Sequence, residues 1–150
     1  MTDTSHEIRT LNGLIATTID SVDGYRTSAE AVDSTRFADL FTARASERSS
    51  VAEQLRAEVR KMGGNPEDDG TLLAGAHRGF LNLKAAVTAR DDQAIVNEVE
   101  RGEDHIKAKF EDALKDRTLS PDCRTVVETA YSSVKSGHDE MSDLKHNLDA

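Results

Sequence analysis

The chain has 150 residues, which suits one domain, and its 28 acidic residues against 19 lysines and arginines give a formal net charge of −9. This charge argues against nucleic-acid partners and anionic membrane surfaces, because both need clustered cations. The single cysteine, Cys123, excludes an internal disulfide and favours a reducing compartment, so we expect a cytoplasmic protein. The N-terminus has no apolar signal segment, and no apolar run approaches the about 20 residues that span a bilayer.

The first half of the chain predicts two long helices. With only two prolines and many Ala, Glu, Lys, Arg and Leu residues, the whole chain should be almost entirely helical. A capping box at Thr4–Glu7 predicts the first helix, which continues to about residue 30. Asp33 or Ser34 can cap the second helix, and the glycine pair at 63–64 should end it.

The second half predicts one shorter and two long helices. The shorter helix runs from Leu72 to about Ala89. Asp91 and Asp92 are well placed to open the fourth helix, which continues to about Lys115. Ser120-Pro121-Asp122 combines a cap, an N1 proline and an early acid, and so begins the fifth helix. We expect one domain over 1–150, ordered from about residue 5 to 148.

This order of helices resembles the ferritin-like four-helix bundle. In that fold a long crossover joins two helical hairpins, and the second and third bundle helices run parallel. Here Leu72 to Ala89 would be a helical crossover. The prediction is therefore an all-α bundle of five helices in which the second and fourth helices are parallel.

The sequence also resembles a bacterial, mostly proteobacterial family of ferritin-like four-helix-bundle proteins of unknown function. The resemblance covers about residues 8–145 and is strongest around the GG-x-P loop and the following HRGF. It implies the fold and no reaction. The stretches that carry it are LNGLIATTIDSVDGYRTSAEAV, AEQLRAEVRKMGGNPEDDGTLLAGAHRGFLNLKAAV and ERGEDHIKAKFEDAL.

Polar side chains interrupt the apolar stripes of all four bundle helices near one level. One interpretation is a metal site, since ferritin-like di-iron proteins hold their metals in the bundle core. Its candidate ligands are Glu47, Glu100, Glu103, His138, Asp20 and Asp23. The other interpretation is a buried ion-pair layer made by Arg44, Arg48, Glu47 and Glu103.

The residue types favour the ion-pair layer. Di-iron bundles use Glu-x-x-His pairs, and no bundle helix here contains one. Two arginines beside the layer would repel a second cation and can pair directly with carboxylates. Gly102 falls on the predicted stripe and should permit close helix approach, and Glu100 should share a face with Glu103. His138, on an apolar stripe, is more typical of a hydrogen-bonded core histidine than of a ligand.

With no complete catalytic constellation, the sequence predicts a non-enzymatic protein that acts by self-association or by binding a protein partner, with a stress-related role left open. A homodimer is expected, because small residues at 74–76 and Gly79 offer a close-packing surface. The alternative is a metal-carboxylate protein that binds iron, oxidises it or handles peroxide. No cofactor is expected under the first hypothesis. Under the second, iron or manganese would be bound. A DNA-protecting role is the weakest fit, because the tail DLKHNLDA is not basic.

Overall fold

A computed structural model of the protein describes the backbone of residues 4–68 and 78–149 and the side chains of 4–68 and 83–147. The described residues form five helices and no strand: α1 Thr4–Ala31, α2 Thr35–Lys61, α3 Arg78–Ala89, α4 Asp92–Leu114 and α5 Pro121–Asp149. The predicted helix ends are confirmed to within a few residues. The predicted start of α3 at Leu72 lies outside the described residues. Among the described helices, none has a stretch apolar and long enough to cross a lipid bilayer.

The end of α2 shows how local sequence sets a helix boundary. Gly63 has a φ of +83°, a left-handed conformation that glycine adopts without steric cost. Its N–H donates to the Arg60 carbonyl at 3.0 Å, and the Gly64 N–H donates to the Val59 carbonyl at 2.9 Å. These two bonds are the Schellman arrangement, which satisfies carbonyls left over at the end of a helix. The glycine pair therefore ends α2 at this point.

Contacts at the two ends of the bundle fix the direction of each helix. At one end the Asp92 carboxylate accepts hydrogen bonds from the backbone N–H groups of Asp33 and Ser34, at 2.9 and 3.0 Å. At the other end the Glu7 carboxylate accepts the Ser120 N–H at 2.5 Å. The starts of α2 and α4 thus lie side by side, and so do the starts of α1 and α5. As predicted for a ferritin-like bundle, α2 and α4 run parallel.

Each long helix packs on two others. α1 contacts α2 and α4, and α5 also contacts α2 and α4, so α2 and α4 lie on a diagonal. The segment that follows α2 lies against α1: the Asn12 side chain donates to the Asn65 carbonyl at 3.1 Å and accepts the Glu67 N–H at 2.8 Å. α3 then packs on α1 and α4, with Leu83 and Ala86 buried.

The apolar core is divided into two clusters. The cluster nearer the α4–α5 turn contains Leu11, Leu14, Ile15, Val51, Leu55, Val59, Ile106, Phe110, Ala113, Leu119, Cys123, Val127, Ala130 and Val134. The cluster nearer the α1–α2 turn contains Tyr25, Val32, Phe37, Phe41, Ala45, Leu83, Ala86, Ile95, Val96, Val99, Met141 and Leu144. Each fully buried large apolar side chain contributes about 1.5–3 kcal/mol to stability. Polar residues lie between the clusters, and they form the site described next.

Candidate functional site at the centre of the bundle

An ion pair between Arg48 and Glu103 lies where the two apolar clusters meet. Nη1 of Arg48 donates to Oε1 of Glu103 at 2.7 Å, and Nη2 donates to Oε2 at 2.6 Å. The side chains are 0% and 2% exposed, so both charges are removed from water. The two parallel bonds are the fork-on-carboxylate geometry in which arginine binds an acid most strongly. The pair joins the diagonal helices α2 and α4.

The other two bundle helices also contribute to this pair. From α1, the Ser21 hydroxyl accepts a hydrogen bond from Nη1 of Arg48 at 2.8 Å, and the Tyr25 ring lies 5.7 Å from the guanidinium carbon. From α5, the Val134 carbonyl accepts from Nη2 at 3.4 Å. Burial favours the neutral form of Arg48, but the carboxylate of Glu103 outweighs it and raises the arginine's pKa above its usual value. The guanidinium therefore stays charged inside the bundle.

Tyr25 adds a neutral phenol beside the pair. Its side chain is buried, and its hydroxyl oxygen has no partner at hydrogen-bond geometry. Burial, followed by the negative charge of Glu103, raises the pKa of Tyr25 well above its usual value, while the charge of Arg48 opposes the rise. Tyr25 is therefore un-ionised at neutral pH, and its ring packs on Phe41 with centroids 5.9 Å apart. Its ring forms one wall of the site.

Gly137 on α5 provides the space for the ion pair. A Cβ built on this glycine would collide with Nη2 of Arg48 and lie 3.2 Å from Oε2 of Glu103. Any larger residue would therefore displace the guanidinium. Sequence reasoning missed this position, although a signal was present: Gly137 is three residues after Val134 and four before Met141, both buried on the same helix.

Two expectations about α4 were wrong. Gly102 is exposed, and a Cβ there would have no neighbour within 4 Å, so this glycine permits no close approach of another helix. The buried stripe passes from Val99 to Glu103 to Ile106, which places Gly102 one residue off the core face. Glu100 does not share a face with Glu103 either, since its carboxylate points to Lys145 on α5 at 3.4 Å.

Arg44 and Glu47, predicted to belong to the buried layer, lie instead at the rim between α2 and α5. Arg44 donates to Glu47 at 2.8 Å and, through Nε, to Glu140 at 2.9 Å. The side chains of Arg44 and Glu47 are 12% and 39% exposed. The Ser133 hydroxyl also donates to Glu47, at 2.5 Å. The buried stripe of α2 passes from Phe41 to Ala45 to Arg48, so Arg44, one residue before Ala45, lies at the edge of the core face nearest α5.

The predicted metal ligands do not converge on one point. Glu103 is committed to Arg48, Glu47 lies at the rim, and Asp20 and Asp23 lie half-buried on α1. Partial burial, followed by the charge of Asp20, raises the pKa of Asp23. In the described part of the chain, one group of three possible ligands comes together, and it combines Glu100 and His138 with a residue that sequence reasoning missed.

That residue is Asp104, one helical turn after Glu100. One possible ligand atom from each of Glu100, Asp104 and His138 lies within 4.8 Å of the other two. Nε2 of His138 is 2.7 Å from Oδ1 of Asp104, so the histidine lies at the α4–α5 surface with its side chain 15% exposed and is not a core residue. The spacing of four between Glu100 and Asp104 was the available signal.

A di-iron centre of the ferritin-like kind does not fit the bundle centre of this chain. Such a centre needs two Glu residues and two Glu-x-x-His pairs directed into the core. Here the Arg48 guanidinium occupies that place, and both carboxylate oxygens of Glu103 accept hydrogen bonds from it. A metal ion there would have to displace Arg48, whose positive charge would then be buried without a counter-charge.

Two solved structures resemble the whole chain in fold. One is a two-domain protein from Anabaena variabilis with DJ-1/ThiJ/PfpI-like and ferritin-like domains; it has a TM-score of 0.76 and 12% identity, and the match covers 97% of this chain and 37% of that one. The chain thus spans little more than a third of that protein. The other is a dodecameric thioferritin, a bacterioferritin-related protein from Bacteroides fragilis, with a TM-score of 0.76, 11% identity and coverage of 98% and 88%. At such identities the likeness establishes the ferritin-like fold alone.

The sequence comparisons give the family. No curated protein sequence matches the chain. The family described as "Domain of unknown function (DUF2383)" matches residues 6–116, which is about three quarters of the chain and includes Arg48, Glu103 and the whole crossover. The chain therefore belongs to the DUF2383 family, and it has a ferritin-like fold.

Proposed function

We propose that this protein is a non-enzymatic ferritin-like bundle that acts by association, with itself or with a protein partner, and not by metal chemistry at its centre. The observation that carries the proposal is the buried Arg48–Glu103 pair, because it fills the place where the fold can hold a metal centre. What is left for function is then the outer surface of the bundle. The single buried cysteine is in keeping with a reducing, cytoplasmic location, which is part of the proposal.

Self-association is supported by the fold. The Bacteroides fragilis protein, which matches nearly the whole chain in structure, is a dodecamer. For this chain we propose a homodimer as the smallest assembly, since two-fold pairing is the commonest association of soluble proteins. Of the small residues expected at the contact, Ala74, Gly75 and Ala76 lie outside the described residues, and only the backbone of Gly79 is described.

Sedimentation velocity tests the association directly. At tens of micromolar protein we expect a species of twice the chain mass that persists in a chelator, because no ion is needed at the bundle centre. The same runs should be made on Glu103→Gln and on His138→Gln. A monomer throughout the concentration range would contradict self-association.

Metal analysis tests the other half of the proposal. Protein purified without an affinity tag or chelator should hold no iron or manganese that depends on Glu103. Stoichiometric iron that is lost in Glu103→Gln and kept in His138→Gln would support the metal-carboxylate alternative at the polar layer and overturn the proposal. An ion that depends on His138 and not on Glu103 would leave the proposal intact, because it would be bound outside the bundle centre.

A further inference from the structure

We propose that Glu100, Asp104 and His138 form a single-ion site for a divalent first-row transition metal at the surface seam between α4 and α5. The site is separate from the bundle centre and goes beyond the proposed association function. Its three residues supply one imidazole nitrogen and two carboxylate oxygens, all within 4.8 Å of one another. Such a mixed set suits Zn²⁺, Mn²⁺ or Fe²⁺ better than Mg²⁺ or Ca²⁺, which prefer oxygen alone.

The spacing of the ligand atoms is close to what an ion requires. Ligands at about 2.0–2.2 Å from a tetrahedral ion are about 3.4 Å from one another. The Nε2 of His138 and the Oδ1 of Asp104 are 2.7 Å apart, and one carboxylate oxygen of Glu100 lies within 4.8 Å of a possible ligand atom of each of these residues. An ion would therefore push His138 and Asp104 slightly apart and draw Glu100 in. Displacements of the ligand atoms by about 1 Å would bring them to these distances, and rigid helices hold all three backbones in place.

The histidine is oriented by a second acid, as metal-binding histidines usually are. Its Nδ1 lies 3.3 Å from Oδ1 of Asp139, while its Nε2 lies 2.7 Å from Oδ1 of Asp104. Without an ion, the 2.7 Å contact places a proton on Nε2, because a carboxylate only accepts hydrogen bonds. A metal ion at Nε2 would replace that proton, and Nδ1–H would then donate to Asp139. Asp139 is itself held by Lys135 at 3.1 Å, one turn earlier on α5. The chain thus contains an outer partner for the ligand as well as the ligand.

Two of the three proposed ligands are largely buried, and the third is open to water. The side chains of Glu100 and His138 are 14% and 15% exposed, whereas that of Asp104 is 57% exposed. Water can reach an ion from the Asp104 side and complete its coordination. Without an ion, the Lys145 ammonium lies 3.4 Å from Oε2 of Glu100 and neutralises it. Binding would replace Lys145 as the partner of Glu100, so this flexible cation is the local competitor of the metal.

Calorimetric titration of chelator-stripped protein with Zn²⁺ alone tests the site. We expect one ion per chain for the native sequence. The affinity should fall roughly tenfold or more in His138→Gln and in Asp104→Asn, since losing even an outer partner of a ligand costs 10–100-fold. Glutamine can keep a hydrogen bond to Asp104 without being an imidazole. Asp104→Asn alters an exposed position, which keeps the test informative if the histidine variant folds poorly.

The matched control is His146→Gln, which removes an exposed histidine from the same helix. It should leave the affinity unchanged. Melting curves give a second measurement: Zn²⁺ should raise the melting temperature of the native protein and of the control, and not of His138→Gln. Saturable binding that is equal in all four proteins, or no saturable binding to the native chain, would overturn the proposal and leave the His138–Asp104 contact as a structural hydrogen bond. Because sedimentation in a chelator tests the association separately, failure of one proposal does not imply failure of the other.

Discussion

Replacing Glu103 by alanine should leave the Arg48 guanidinium buried without its counter-charge. Arg48 is 0% exposed, and it would lose two charge-assisted hydrogen bonds of 2.6 and 2.7 Å. Breaking a buried pair in this way costs about 3–5 kcal/mol. The remaining bonds to the Ser21 hydroxyl and the Val134 carbonyl offset part of the loss, so the lower half of that range is expected.

A cost of this size is a large fraction of the about 5–15 kcal/mol that stabilises a domain. For a chain of this length, each kcal/mol lowers the melting temperature by about 2–4 °C, so a cost of about 3–4 kcal/mol should make Glu103→Ala melt about 6–16 °C below the native protein. Urea unfolding gives the free energy, and thermal melts give the second measurement. All samples should contain a chelator, so that an ion at the α4–α5 surface contributes nothing. As a control, Glu53→Ala breaks an exposed pair with Arg60 and should leave the midpoint unchanged.

The double variant Arg48→Met/Glu103→Leu separates a buried pair from an ordinary packing contact. Because an apolar replacement removes both desolvated charges, it should be neutral or up to about 4 kcal/mol more stable than the native protein, although each single change destabilises. The reasoning is refuted if Glu103→Ala unfolds within about 1 kcal/mol of the native protein, or if the two single losses simply add in the double variant.

Two further predictions concern two helix glycines and the loss of stability at low pH. Gly137→Ala should lower the free energy of unfolding in urea by about 1–3 kcal/mol, because the new Cβ would collide with the Arg48 guanidinium. Gly102→Ala, at an open helix position, should raise it by up to about 1 kcal/mol. Equal effects of the two substitutions would contradict the assignment. Hydrogen bonds from the Thr118 hydroxyl, the His6 ring and the Thr118 N–H hold the pKa of Asp116 at about 2, against a usual value of 3.8. The stability that this carboxylate contributes is therefore present above pH 4 and is lost as the pH falls towards 2. The melting temperature of Asp116→Asn should therefore fall less steeply between pH 4 and pH 2, and parallel profiles would contradict this.

The helix ends and the topology could be predicted from the sequence because their signals are local. Ser34 accepts the Phe37 N–H, and Asp91 accepts those of Gln93 and Ala94, as capping residues do. The parallel arrangement of α2 and α4 followed from the ferritin-like resemblance combined with the length of the segment between them. Neither conclusion needed the position of any side chain in the core.

The site was predicted less well because it depends on rotations of about 100° between successive residues. Arg44 and Arg48 are one turn apart on α2, and the apolar pattern is interrupted between Phe41 and Val51. Ala45, buried with 4% exposure, is the missing member of that stripe, and it would have identified Arg48 as the residue that faces the core. On α4, pairing Glu100 with Glu103 instead of Asp104 hid the surface cluster for the same reason.

The ion pair requires residues that would each be unfavourable alone. Arg48 on α2 would be a buried cation, Glu103 on α4 a buried anion, and Gly137 a weak point in α5, costing about 1 kcal/mol relative to alanine. They fit only when the diagonal helices bring the two charges opposite each other at the level where α5 carries its glycine. A slide of one turn, about 5.4 Å, would separate the charges and place a side chain in the space that Gly137 leaves. Alternative alignments of the same helices are therefore penalised, while the apolar clusters on either side could tolerate several of them.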